Sequence, residues 1–309
     1  MSDETIVVGG GVIGLTTAVV LAESGRKVRV WSRDPVDGTT SAVAGALWWP
    51  YRIEPAARVG EWALTSLRVY EQLAAEPETT GVRLVEGLHA GIRLSELGPW
   101  AAEVDGLRQS AQGVLARVPL IDMPTHLDWL RARLEATGTK VEIREVDRLP
   151  DAPLVINCTG LGARHIVPDP QVRPVRGQLV IVENPGITEW YTAVDDSDAS
   201  TYFFPQPYGL LLGGTAQDDA WDLTPDARTA EEIVARCAQV RPEIAGARVL
   251  AHRAGLRPVR DGGVRIEAEA TSSGGVVVHN YGHGGAGVTV AWGCAREAAA
   301  LAASRTPLR

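Results

Sequence analysis

Thr5-Ile6-Val7-Val8-Gly9-Gly10-Gly11-Val12-Ile13-Gly14 is a short β-branched run ending in glycines that occupy the positions of a G-x-G-x-x-G turn. In such a turn the first glycine makes the tight bend, the second admits a pyrophosphate against the backbone, and the third lets helix pack on strand. The flanks agree with that reading: Val12 to Ser24 is apolar and helical in pattern and is stopped by Gly25, and Lys27 to Trp31 reads as a second strand. The chain therefore opens as a Rossmann-like α/β unit with Gly9, Gly11, Val12, Ile13 and Gly14 as candidate dinucleotide contacts. An acid for the ribose hydroxyls commonly ends the second strand. Here Trp31-Ser32-Arg33-Asp34 stands instead, with Asp34 just beyond the strand. Ser32 can bond a hydroxyl and Arg33 can cover an adenine or a phosphate; a solvated loop is the other reading of Asp34.

A second glycine loop lies near the end of the chain, in His279-Asn280-Tyr281-Gly282-His283-Gly284-Gly285-Ala286-Gly287, with Val288-Thr289 and an Ala-rich apolar helix directly after it. Such glycines allow a backbone to approach a ligand at distances that a Cβ forbids, here at a helix N-terminus. Between the two loops, Thr39-Thr40-Ser41 precedes Gly45-Ala46-Leu47-Trp48-Trp49-Pro50-Tyr51, a pattern of hydroxyls, small residues and aromatics suited to a flat, polar-edged ring system.

At 309 residues, 45% hydrophobic and without a long apolar run, the chain is expected to be soluble and to form one large or two moderate domains. The N-terminal apolar stretch has no basic residues before it and no cleavage site, so no export is expected. Three well-separated cysteines, Cys158, Cys237 and Cys294, suit neither a disulfide framework nor a metal cluster and fit the cytoplasm; no metal is expected. A net charge of -8 argues against nucleic acid or an anionic membrane as partner.

The remaining pattern predicts a helix over 57–75, strands within 82–94, a helix capped by Thr125 and running through Thr137, strands over 141–146 and 154–158, a strand-rich stretch from Gln178 to Gly214, and a helix over 230–240. Segments of nucleotide-domain character alternate with strand-rich ones, which implies two discontinuous domains. The expected division is 1–50, 120–177 and 258–309 for the dinucleotide domain and 51–119 and 178–257 for a strand-rich substrate domain.

Taken in order, these motifs resemble the D-amino-acid oxidase family: the N-terminal glycine turn, the Thr-rich run, Cys158-Thr159-Gly160, Arg176-Gly177-Gln178, Tyr202-Phe203-Phe204-Pro205, Gly255-Leu256-Arg257-Pro258-Val259-Arg260 and the C-terminal loop. Ala46 is an extra residue relative to the commonest Ala-Gly-Leu-Trp spelling. The resemblance implies FAD as cofactor, with Val146, Thr159, Gly160, Gly284, Gly285, Gly287, Val288 and Thr289 joining Ser32, Arg33, Thr39, Thr40, Ser41, Gly45, Ala46 and Leu47 around it. It further implies that Tyr202 and Arg257 bind the substrate carboxylate and that the Gly285 carbonyl orients the amine. The chemistry suits the residues, because a guanidinium grips a carboxylate bidentately and a phenol adds a directional donor. Arg260 is expected to be structural.

The activity so implied is oxidative deamination of a D-amino acid by oxygen to a 2-oxo acid, ammonia and hydrogen peroxide, with hydride passing from the α-carbon to flavin N5 and no protein base at carbon. The helix beginning near Gly287 would set its positive end toward the flavin. His283 is read as bracing the loop through a hydrogen bond, not as a base. The acidic stretch with Asp195, Asp196 and Asp198, shorter than the mammalian-type lid region, together with apolar contact from Trp48, Trp49, Tyr51 and Phe204, favours neutral or basic side chains over acidic ones. Alternatives are a D-aspartate oxidase, needing a second cation among Arg52, Arg58, His89 and the other basic residues, none of which the sequence singles out, a glycine or sarcosine oxidase, and a nucleotide-binding module without turnover. A homodimer is compatible with the sequence, and Thr306-Pro307-Leu308-Arg309 is not a Ser-Lys-Leu peroxisomal address.

Overall fold

The computed structural model describes residues 4–194 and 199–305. Two sheets organise them. In the six-stranded sheet Glu4–Val8 is central, paired in parallel with Lys27–Ser32 on one side and Leu154–Asn157 on the other. Val141–Ile143 extends the first side, and Val276–Tyr281 and Arg265–Ala270 extend the second, the last pair being antiparallel. Central strands buried on both faces need continuous apolar runs, which Ile6-Val7-Val8 and Leu154-Val155-Ile156 supply. Helices Val12–Glu23 and Gly287–Arg305 pack against each other within this layer, and the alanines of the second allow the close approach.

The nine-stranded sheet is built around Val172–Val182, which pairs antiparallel with Gly209–Thr215 and with the long strand Val249–Arg260. Beyond Gly209–Thr215 lie Ala199–Gln206, Trp190–Val194, Val82–Ala90 and Gly113–Ile121. Helix Ala227–Val240 covers one face of it with Ile233 and Cys237 against Val180, Phe203 and Leu212. No helix among the described residues is long and apolar enough to cross a membrane.

Several expected boundaries move. The predicted cap Thr125 lies inside helix Met123–Glu135, whose N-cap position is Asp122; Pro124 fixes the first turn three residues earlier, and the Thr125 hydroxyl donates to Asp122 Oδ2 at 2.7 Å. The helix expected from residue 230 begins at Ala227, because Asp226 accepts the Thr229 N–H at 2.7 Å. The strand after residue 82 ends at Ala90, where Gly91 turns with φ +78, and Leu94 belongs to a 3-10 turn. The strand expected over 141–146 stops at Ile143, leaving Val146 in a loop against Ile6, Trp31 and Val155. The helix predicted over 57–75 is Ala56–Leu73.

Candidate active site

The N-terminal glycines divide their duties. Gly9 has φ +125, a conformation costly for any side chain, and a β-carbon there would overlap the Cys158 carbonyl. A β-carbon at Gly14 would overlap the Gly9 carbonyl oxygen, so this glycine is what lets the helix lie against the strand end. Gly11, at φ -80, is unstrained and meets only the Ser41 hydroxyl, 2.9 Å from where its β-carbon would stand. A side chain there would press on that hydroxyl, and the position is otherwise open at the positive end of helix Val12–Glu23. That is a cradle of the kind a dinucleotide needs, and the residues present fit FAD. Ser41 Oγ accepts the Val12 N–H at 2.9 Å and so stands at the mouth of the cradle.

Thr39 opens a single helical turn, Thr40–Val43, that holds Ser41 in this position, and the Thr39 hydroxyl itself donates to the Val36 carbonyl at 2.7 Å. Gly45 backs onto the Phe204 ring. Ala46 takes φ +59, a region where glycine is at ease and alanine is strained, and Leu47 bridges to Leu120. Ser32 is buried beneath Gly10 and donates to the Asp34 carbonyl at 2.6 Å, while Arg33 turns to solvent in an ion pair with Asp34. Trp48, expected against the substrate, is instead wholly within the core, its indole N–H on the Ala63 carbonyl at 3.0 Å. Trp49 is held through its backbone by the Thr289 hydroxyl and stacks on His89.

The substrate candidates converge on the nine-stranded sheet and the C-terminal loop. Tyr202 is paired in register with Gly213, and its ring lies flat over that glycine and Gly214, where any side chain would collide with it. Phe204 stacks on the ring at 5.0 Å. The Arg257 guanidinium lies on Gly177, 2.5 Å from where a β-carbon would stand, and Nη1 donates to the Thr215 carbonyl at 2.9 Å. Its Cδ is 3.2 Å from a β-carbon built on Gly285, so the loop and the guanidinium are in contact. The two side chains reach neighbouring residues of one strand, the Tyr202 hydroxyl over Gly214 and the Arg257 guanidinium on the Thr215 carbonyl, and while burial raises the Tyr202 pKa, Arg257 pulls it down. Tyr202, Arg257 and Gly285 thus stand together, half-buried at Tyr202 and Arg257. A cavity of about 340 Å³ is lined by Trp49, Tyr51, Arg52, His89 and Trp100.

Gly284 takes φ +56 against Val259, and the Thr159-Gly160 turn packs on Pro258, so both loops expected around the cofactor touch the strand that carries Arg257. Thr159 is fixed by Asn157, whose Oδ1 accepts its hydroxyl at 2.8 Å. Helix Gly287–Arg305 starts where expected, with the Val288 carbonyl accepting the Tyr70 hydroxyl at 2.8 Å. His283 does not brace the loop by a side-chain hydrogen bond: its Nε2 is buried without a partner among the described residues, and burial pushes its pKa down to about 3. A neutral imidazole packed in this way fills space. His279 is likewise structural, set between Asn157 and Glu269. Arg260, expected to be structural, pairs with the buried Asp169. Asp195, Asp196 and Asp198 lie outside the described residues, and no group of His, Cys, Asp or Glu among the described residues is arranged to hold a metal.

Gly213 and Thr215, and the role of Gly177 within its Arg-Gly-Gln motif, were not read from the sequence; these residues seat the arginine and tyrosine. Their signal is present only as register: a glycine opposite an aromatic, and a carbonyl at the end of a neighbouring strand.

The family model described as FAD dependent oxidoreductase matches residues 4–139 and 125–301. A D-amino-acid oxidase from Streptomyces coelicolor is 63% identical over 309 residues, covering 97% of this chain and 96% of that protein. A D-amino-acid oxidase from Rubrobacter xylanophilus is 45% identical, covering 96% of this chain and 95% of that protein. Among solved structures, glycine oxidase from Bacillus cereus superposes with a TM-score of 0.78 at 19% identity, covering 99% of this chain and 96% of that one. At that identity it supports the fold alone.

Proposed function

Because this chain belongs to the D-amino-acid oxidase family of FAD-dependent oxidoreductases, we propose that it oxidises D-amino acids with oxygen and water to 2-oxo acids, ammonia and hydrogen peroxide. FAD is its cofactor. The observation that carries the reading is the convergence of Tyr202, Arg257 and Gly285 beside the C-terminal glycine loop. Arg257 and Tyr202 hold the substrate carboxylate, the Gly285 carbonyl accepts from the amine, and these contacts fix the α-carbon so that its hydrogen faces the cofactor. The flavin, when bound, supplies the two-electron acceptor that oxygen then restores. Among the described residues, neither histidine at the loop is poised as a base at carbon, since His283 is buried and neutral and His279 is engaged with Asn157 and Glu269. In this proposal Gly9, Gly11, Val12, Ser41, Thr159 and the first turn after Gly287 hold FAD, and the segments 1–50, 120–177 and 258–309 form its domain.

For substrate range we favour neutral or basic side chains. The sequence between strands Trp190–Val194 and Ala199–Gln206 is acidic, and the second of those strands carries Tyr202. Two of the cations considered for a side-chain carboxylate are committed, Arg58 to Glu297 and His89 to Thr192. Oxygen consumption with D-valine, D-lysine and D-aspartate tests this, and a kcat/KM highest for D-aspartate overturns it. A cytoplasmic location belongs to the same proposal and is supported by three buried free thiols. The reading as a whole is tested by Arg257→Ala. That variant is expected to retain FAD and to lose about 2–5 kcal/mol of transition-state binding, or roughly thirty- to several-thousand-fold in kcat/KM. Benzoate, a carboxylate mimic, should bind it correspondingly less well; unchanged benzoate binding removes Arg257 from the site.

A further inference from the structure

The carboxylate of Asp169 is only 6% exposed and is not used by the reaction described above. Its Oδ2 accepts from Arg260 Nε at 2.8 Å and from the Tyr281 hydroxyl at 2.8 Å, and its Oδ1 accepts the Gln171 N–H at 3.1 Å. Arg265 Nη1 donates to the same Tyr281 hydroxyl at 2.8 Å, so the hydroxyl's own proton is directed at Asp169. The two side chains held by this one oxygen come from the two segments that carry the substrate groups. Arg260 follows Arg257 on strand Val249–Arg260, and Tyr281 ends the strand that runs into the loop bearing Gly285. Where that loop leaves its strand, Gly282 turns with φ +90 against the Arg260 side chain. Arg260 Nη1 also donates to the Gly263 carbonyl at 3.3 Å. A single backbone bridge, between Val259 and His283, accompanies these side-chain contacts.

We propose that Asp169 is a positioning residue for substrate binding: by clamping Arg260 and Tyr281 to one carboxylate it sets the separation of the Arg257 guanidinium from the Gly285 carbonyl. The proposal rests on the reading that those two groups receive the carboxylate and the amine. Both substrate groups sit on one α-carbon, so their spacing is fixed by covalent geometry and the two receptors must match it. A misplacement of about 1 Å in such a constellation costs on the order of a hundredfold. An asparagine at position 169 keeps the volume and one oxygen, but it loses the charge and turns an N–H toward donors that need an acceptor.

The test compares FAD-loaded wild type, Asp169→Asn, Tyr281→Phe and the double variant for flavin absorbance, for the dissociation constants of benzoate and of 2-aminoisobutyrate, which carries amine and carboxylate on one carbon but no hydrogen to lose, and for kcat and KM with D-alanine. Asp169→Asn is expected to keep its flavin while 2-aminoisobutyrate affinity and kcat/KM each fall roughly ten- to a hundredfold, with a smaller loss for benzoate, which has no amine to place. Tyr281→Phe should lose less in the same direction, and the double variant should be no worse than Asp169→Asn, because both changes cut one linkage. 2-Aminoisobutyrate affinity within about twofold of wild type in the variants, whatever their melting temperature, equal losses for the two ligands, or additive losses in the double variant, overturns the proposal. If Asp169→Asn does not fold, Tyr281→Phe alone decides by the same ligand criterion. A wild type that ignores both benzoate and D-alanine sinks the underlying reading of the site, an outcome distinct from unchanged variants of an active enzyme.

Discussion

The two glycine loops look alike in sequence and are built on different principles. In the N-terminal loop the tightest constraints are backbone on backbone: Gly9 and Gly14 are required by the Cys158 carbonyl and by each other, whereas Gly10 meets chiefly the Ser32 side chain and Gly11 that of Ser41. In the C-terminal loop the neighbours are side chains: Arg260 beside Gly282, Arg257 beside Gly285, His283 beside Gly287. The first loop is therefore set largely by its own backbone, and the second by side chains, two of them arginines from a strand of the other sheet. A glycine pattern by itself does not say which kind it is; the neighbours do.

The largest effect expected from this contrast is at Gly14. Gly14→Ala drives a methyl group into the Gly9 carbonyl and should destabilise the protein by about 3 kcal/mol or more, seen as loss of soluble, cooperatively melting protein. Gly11→Val should behave differently. It meets only a rotatable serine hydroxyl, so it should fold, purify without flavin and melt within about 1 kcal/mol of wild-type apoprotein, the loss being the Ser41 bond to Val12. A yellow Gly11→Val protein would remove this loop from the cofactor site.

Acid should act on the C-terminal loop, which contains a buried histidine where the N-terminal loop has no titratable group. Burial lowers the His283 pKa to about 3, against about 6.5 in the unfolded chain. The unfolded state therefore binds the proton first. The stability conferred by the neutral imidazole is complete above about pH 6.5 and falls as pH drops toward 3, by up to roughly 1.4 kcal/mol per pH unit. His126, held near 4 by burial despite its bond to Thr80, adds a second contribution of the same sign. Melting curves from pH 7 to 4.5 should show this, with a shallower slope for His283→Asn; an identical slope would show that the loop histidine is not the source. The smallest effect is at Ala46, whose φ of +59 suits glycine: Ala46→Gly should raise stability by about 1 kcal/mol or less, because relief of strain is partly offset by a more flexible unfolded chain.

Much of this was legible in the sequence. The opening strand, turn and helix followed from glycine spacing because backbone overlap dictates it, whereas the choice of Tyr202, Arg257 and Gly285 as substrate candidates came from resemblance alone. Helix starts were misplaced where proline or aspartate decides the first turn, as at Pro124 and Asp226. Trp48 was read as a substrate contact because an aromatic cluster next to small residues gives no clue to which ring faces the core. His283 was given a hydrogen bond that the fold does not provide. Asp169 went unread altogether, since its partners Arg260 and Tyr281 come from distant segments and only tertiary structure brings them to one carboxylate.

In the proposed site these two loops together hold a flavin against a carboxylate-binding arginine that accepts one handedness of substrate. Anaerobic mixing of the purified protein with D-alanine and, separately, L-alanine, followed by visible absorbance, tests it most directly. The expected result is a yellow protein bleached by the D form and left unchanged by the L form. A colourless protein, or a flavin bleached equally by both or by the L form alone, would contradict it.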